Sequence, residues 1–159
     1  MSVTRIISGG QTGVDRGALL AARDLGLERG GWAPLGWRAE DGVIPAEFRD
    51  GMQECPQRGY SARTRRNADD SDGTLILSRD LPLTGGTLMT ERYVIITGAP
   101  VLVLALWKDI PLIDICIAVN SWIERNRISV LNVAGPRESK APGIQEQSRA
   151  VLVALLRSK

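Results

Sequence analysis

The chain has 159 residues and a mass of 17.2 kDa, with 43% hydrophobic and 24% charged residues, the composition of one ordinary globular domain (1–159) and not of a disordered or fibrous chain. Twenty Lys and Arg against eighteen Asp and Glu leave a net charge of +2, too balanced for a surface built to bind nucleic acid. Histidine is absent, which excludes Ser-His-Asp and Cys-His catalysis and imidazole metal ligation; Cys55 and Cys116 are too few and too far apart for a four-sulfur metal site.

The opening residues, Met1 to Ile7, turn polar at once and carry no signal-peptide core. The longest apolar run, Val101 to Trp107, is far short of the ~20 residues of a membrane span. A soluble, cytoplasmic protein with no membrane partner is expected, its two cysteines reduced and used for packing.

In chain order, Thr4 to Ser8 is a short β-branched run that ends at Gly9-Gly10. Val14 to Leu25 sets Ala18, Leu19, Ala22 and Leu25 at helical spacing, with Gly26 as a stop. Leu27 to Asp72 departs from this rhythm: it is rich in Gly, Pro, Trp and Arg, with one short strand expected at Trp32 to Leu35. A segment that long with little regular structure is usually functional or disordered, and its tryptophans argue for order. Thr74 to Ser78 is the next strand, followed by a helix over Thr87 to Thr97 that Gly98-Ala99-Pro100 closes. Val101 to Leu106 is a third strand, and Leu112 to Arg125 a helix apolar nearly all round, expected to pack deep. Ser129 to Val133 is a fourth strand, and Ile144 to Leu156 a helix with one apolar stripe. Strands apolar on both alternations suit a sheet covered on both faces. The alternation predicts an α/β fold, a three-layer Rossmann-like open parallel sheet of at least five strands with helices on both sides.

Three turns lead from strand ends into helices: Gly9-Gly10-Gln11-Thr12-Gly13 with Asp15, Gly85-Gly86-Thr87, and Gly135 with Arg137, Glu138 and Ser139. Glycines let a phosphate approach backbone N–H groups at a positive helix end, and such turns gather at the carboxyl edge of a parallel sheet, where open α/β folds bind ligands. Neither a Walker A nor a GxGxxG pattern is present, so a ligand-free tight turn stands as the alternative for the first of them. On a helix, Arg63, Arg66 and Asn67 would share a face; arginine's forked donors suit phosphate, and a solvated cluster paired with Asp69, Asp70 and Asp72 is the other reading. Trp32 and Trp37 could stack on a heteroaromatic ring or be buried for packing.

Taken together, Gly-Gly-Gln-Thr-Gly-Val-Asp (9–15), Gly-Trp-Ala-Pro-Leu-Gly (31–36), Ala-Glu-Asp-Gly-Val-Ile-Pro (39–45), Ser-Asp-Gly-Thr-Leu-Ile (71–76), Thr-Gly-Gly-Thr (84–87) and Gly-Pro-Arg-Glu-Ser (135–139) closely resemble the "putative molybdenum carrier" family over the whole chain. That family is similar to the molybdenum cofactor carrier protein and to the Lonely Guy phosphoribohydrolases, relative to which its sheet is circularly permuted. In this chain the relatives' opening glycine-serine strand end comes last, as Gly135 to Ser139, and Arg63 precedes Ser71-Asp72 at the spacing of their catalytic arginine. Their glycine-rich motif resembles Gly85-Gly86-Thr87 followed by Glu91, although Glu91 stands four residues after Thr87, not three, and Thr90 holds the expected position. One residue turns a helical side chain by ~100°.

The resemblance implies a carrier of molybdenum cofactor, a phosphorylated pterin, or of a nucleotide. Phosphate would sit on the glycine turns beside Arg63, and the metal would be held by its organic ligand and not by the protein. The second reading is a nucleoside-monophosphate phosphoribohydrolase that uses Arg63 and Glu91, and the third a nucleotide-sensing module. The relatives also imply a homo-oligomer, a dimer or tetramer.

Overall fold

The computed structural model describes residues 2–106 and 109–157; Trp107, the end of the longest apolar run, lies outside them. The first strands are β1 (Arg5–Ile7), β2 (Glu28–Ala33) and, after a small hairpin of β3 (Arg38–Ala39) and β4 (Gly42–Val43), β5 (Met52–Glu54). Three more follow: β6 (Gly73–Ser78), β7 (Val101–Ala105) and β8 (Val130–Ala134). The helices are α1 (Val14–Leu25), α2 (Tyr60–Asp69), α3 (Gly85–Thr97), α4 (Leu112–Asn126) and α5 (Ile144–Leu156). β5, β2, β1, β8, β6 and β7 form, in that order, one sheet in which every pairing is parallel.

The layers follow from alternation along the strands. Ile6, Leu75, Leu77, Leu131 and Val133 are buried in one core with Ala18 of α1, Val119 and Trp122 of α4, and Leu152 of α5. Their neighbours in sequence face the opposite side, where α2 and α3 pack against each other and Tyr93 Oη donates to Asp69 at 2.8 Å. The expected three-layer, Rossmann-like architecture is therefore present. A smaller core of Leu19, Leu20, Ala33, Ile44 and Phe48 fixes the hairpin region on the flank of α1.

Two expectations need correction. The segment 27–72 is far more regular than its composition suggests, since it contains β2, β5, the hairpin and α2. Nor does α4 pack deep all round. Ile115, Val119, Trp122 and Ile123 are buried while Leu112, Ile113 and Ile117 face outward.

The order in which the chain adds strands to the sheet reverses between β1 and β8. From β1 it steps to β2 and β5; β6 and β7 lie on the far side of β8, and β8 returns to pair with β1. Crevices outside the carboxyl ends of such strands are where open α/β sheets place ligands. The turns after β1 and β8 border one crevice, where Gln11 and Gly135 both line the wall.

Candidate functional site at the carboxyl edge of the sheet

A cavity of about 670 Å³ opens there, within the range of small-molecule sites. Of the expected residues, Gln11, Asp15, Arg63, Gly86, Thr87, Gly135 and Arg137 line it. Tyr60, Arg79, Asp80, Thr90 and Lys140 add to its polar wall. Four cationic side chains thus face two carboxylates, and the site carries net positive charge.

The turn after β1 differs from the expected bare phosphate cradle. Four of its N–H groups already have partners inside the protein: Gly10 N donates to Ser8 Oγ at 3.4 Å, Gln11 N to Asp15 Oδ2 at 3.2 Å, Thr12 N to Gln11 Oε1 at 3.0 Å and Val14 N to the Pro136 carbonyl at 3.3 Å. Its glycines serve packing. A Cβ on Gly9 would overlap the Arg63 guanidinium, one on Gly10 would lie 2.8 Å from Ile44 Cδ1, and one on Gly13 would lie 2.7 Å from Glu138 N.

Arg63 was expected to neutralise phosphate, yet its Nη1 already lies 3.4 Å from Asp15 Oδ2. Burial raises the Asp15 carboxyl above its usual range, against the opposing pull of Arg63, the Gln11 and Gly9 backbone N–H groups and Arg16.

The turn before α3 is the open one. Thr84 provides no side-chain cap, and a Cβ on Gly86 would meet nothing within 4 Å. The first N–H groups of a helix have no acceptor within it, so this end presents donors and the positive end of the helix dipole to the cavity. Lys140 Nζ would lie 3.4 Å from a Cβ on Gly85. Arg79 is anchored nearby, its Nε donating to Gln147 Oε1 at 2.7 Å.

Several expected site residues have other work. Asn67 clamps β2: its Oδ1 accepts from Trp32 N at 2.7 Å and its Nδ2 donates to Trp32 O at 3.0 Å. The Glu138 carboxylate accepts from Gly143 N, and from Gln145 N at 3.0 Å, and so caps α5. Thr12 Oγ1 and Ser139 Oγ both donate to Glu40, and Ser139 N reaches Glu40 Oε1 at 3.1 Å. This latch ties the β3–β4 hairpin to the loop after β8. Asp41, beside Glu40, takes both terminal nitrogens of buried Arg16 at 2.6 and 2.8 Å.

Trp32 and Trp37 do not line the cavity. Arg66 stacks over Trp32 at 4.5 Å, and Arg49 over Trp37 at 4.7 Å. Among the described residues the aromatic side chain lining the cavity is Tyr60. Glu91 is also outside the cavity lining, where Thr90 stands, as the one-residue shift in spacing implies. Sequence reading missed Tyr60, Arg79 and Lys140; only Lys140, directly after the Gly135–Ser139 turn, carried a positional hint.

This is a Rossmann-like α/β protein with a cationic cavity at the switch point of its sheet. The chain belongs to the circularly permutated YpsA SLOG family, whose pattern matches residues 6–156. It is also similar to a crystal structure from Syntrophus aciditrophicus SB described as "Putative molybdenum carrier protein", with 41% identity, a TM-score of 0.90 and coverage of 99% of this chain and 96% of that one. No curated protein matches the chain.

Proposed function

We propose that the chain binds and carries a small phosphorylated heterocycle, with the phosphate on the N-terminal turn of α3 and the ring towards Gln11, Tyr60 and Arg63. The observation that carries this reading is the uncapped α3 terminus beside Lys140, in a cavity where cations outnumber carboxylates. A phosphate there gains charge-assisted hydrogen bonds, which are stronger than neutral ones. The relative's name, a molybdenum carrier, supports a cargo that contains molybdenum; the cargo proposed here is molybdenum cofactor, with a nucleotide as the other member of the same chemical class. Among the described residues no group of three or more His, Cys, Asp or Glu could hold a metal ion; in this proposal the metal travels on its organic ligand. None of their helices is long and apolar enough to cross a membrane, and a cytoplasmic homo-oligomer is part of the proposal.

Calorimetric titration with ribose 5-phosphate tests the phosphate site. Lys140→Ala should weaken binding roughly tenfold and leave the thermal midpoint unchanged. Unaltered affinity would place the phosphate elsewhere. Mass spectrometry of whatever small molecule co-purifies with the protein identifies the cargo.

A further inference from the structure

Two large side chains stand in the cavity wall without belonging to either hydrophobic core. Tyr60, the first residue of α2, is 43% exposed, and Met89, on the second turn of α3, is 57% exposed. Both line the cavity, and neither is part of the two packed clusters. α2 and α3 pack against each other farther along, where Tyr93 Oη meets Asp69. Their N-terminal halves line the cavity instead. Tyr60 and Thr64 share one face of α2, as Gly86 and Met89 share one face of α3.

The chemistry of this pair indicates what it can hold. Trp32 and Trp37 carry guanidinium groups over their rings at 4.5 and 4.7 Å, whereas Arg63 stands 6.0 Å from the Tyr60 ring, at the outer limit of that attraction. The Tyr60 ring is therefore free to stack on a second ring. Met89 ends in a flexible, polarisable thioether, which packs favourably on aromatic rings at about 5 Å. Neither side chain is charged, so a group placed on them gains by burial and stacking. Met89 lies three residues beyond Gly86, ~4.5 Å along the helix axis. A group held there adjoins a phosphate on the first turn of α3.

We propose that Tyr60 and Met89 form the seat of the cargo's heteroaromatic ring, which stacks on the Tyr60 ring and touches the Met89 thioether. The proposal rests on the phosphate reading given above and adds a ring subsite to it. An uncharged planar ring is selected by stacking, next to a phosphate selected by charge.

Two probes separate the ends in calorimetric titrations: adenosine 5′-monophosphate, which has a ring, and ribose 5-phosphate, which has none. The unmodified protein should bind the nucleotide about tenfold more tightly, the gain expected of one stacked base. Tyr60→Ala and Met89→Ala should each reduce that ratio several-fold. Tyr60→Phe, which keeps the aromatic face and loses the hydroxyl, should restore the ratio lost in Tyr60→Ala. Both alanine variants should keep the thermal midpoint, since neither residue belongs to a core. A ratio near one in the unmodified protein overturns the seat. A ratio left unchanged by either alanine variant does so too, as does a Tyr60→Phe ratio no better than that of Tyr60→Ala. Failure of the phosphate reading shows separately, as ribose 5-phosphate binding that is absent or indifferent to Lys140→Ala, and the seat falls with it.

Discussion

Replacing Gly13 by Ala would set a methyl group 2.7 Å from Glu138 N at a residue whose φ is +81°, a region that L side chains rarely adopt. Strain and overlap should together cost about 2–4 kcal/mol, measurable as a lower urea midpoint with an unchanged slope. Gly86→Ala should behave in the opposite way. Its Cβ meets nothing within 4 Å, and alanine favours helix by up to about 1 kcal/mol, so folding should hold or improve while ribose 5-phosphate binds several-fold more weakly. If both variants unfold alike, the distinction between the two turns is wrong. In the sequence both turns read as glycine-rich entries to helices, and that much was legible. What separates them is a backbone more than 120 residues away, Pro136 to Glu138, pressed against Gly13. Likewise no local pattern shows that Asn67 and Glu138 spend their polar atoms on neighbouring backbone.

Among elements, α1 and α5 were readable to the residue because each has an apolar stripe, and Gly26 closes α1 in the left-handed conformation. β2 was only partly readable, since Glu-Arg-Gly-Gly carries neither alternation nor β-branching. The β3–β4 hairpin had no periodicity to find; it is held by side chains. At Glu40, burial pushes the carboxyl pKa up, but the hydrogen bonds from Ser139 and Thr12 outweigh it and hold the group below its usual 4.5. Arg16 similarly lowers Asp41. A carboxylate more acidic when folded adds stability at pH above its unfolded value, and that stability is lost as pH falls through the lower folded value. The thermal midpoint should therefore fall as pH drops below about 4.5, and Glu40→Gln should flatten that fall. A Glu40→Gln profile parallel to that of the unmodified protein would show that the latch contributes nothing.

On the scale of the whole molecule, α3 and α4 flank the edge strand β7 and expose large apolar side chains, Ile96 at 83% and Ile113 at 64% among them. Exposed apolar patches often mark association sites, which agrees with the homo-oligomer proposed above. Light scattering should give a mass that is a multiple of 17.2 kDa, and Ile96→Glu combined with Ile113→Glu should return it to that of one chain. A monomer in the unmodified protein ends that proposal. The pairing of β1 with β8 has a kinetic consequence. Thr4 Oγ1 and Ser129 Oγ meet at 2.9 Å across 125 residues of chain, so the middle of the sheet closes through one of its longest loops. Contacts that remote are entropically slow to form. The turns at Gly9 and Gly135 become neighbours only in that step. During synthesis, residues 1–106 can emerge with β1, β2, β5, β6 and β7 and still have no cavity, because the wall from Ala134 to Ala141 follows later. Ligand capture is thereby deferred to the last stage of folding, and a ribosome-bound chain arrested before residue 130 should retain no cargo.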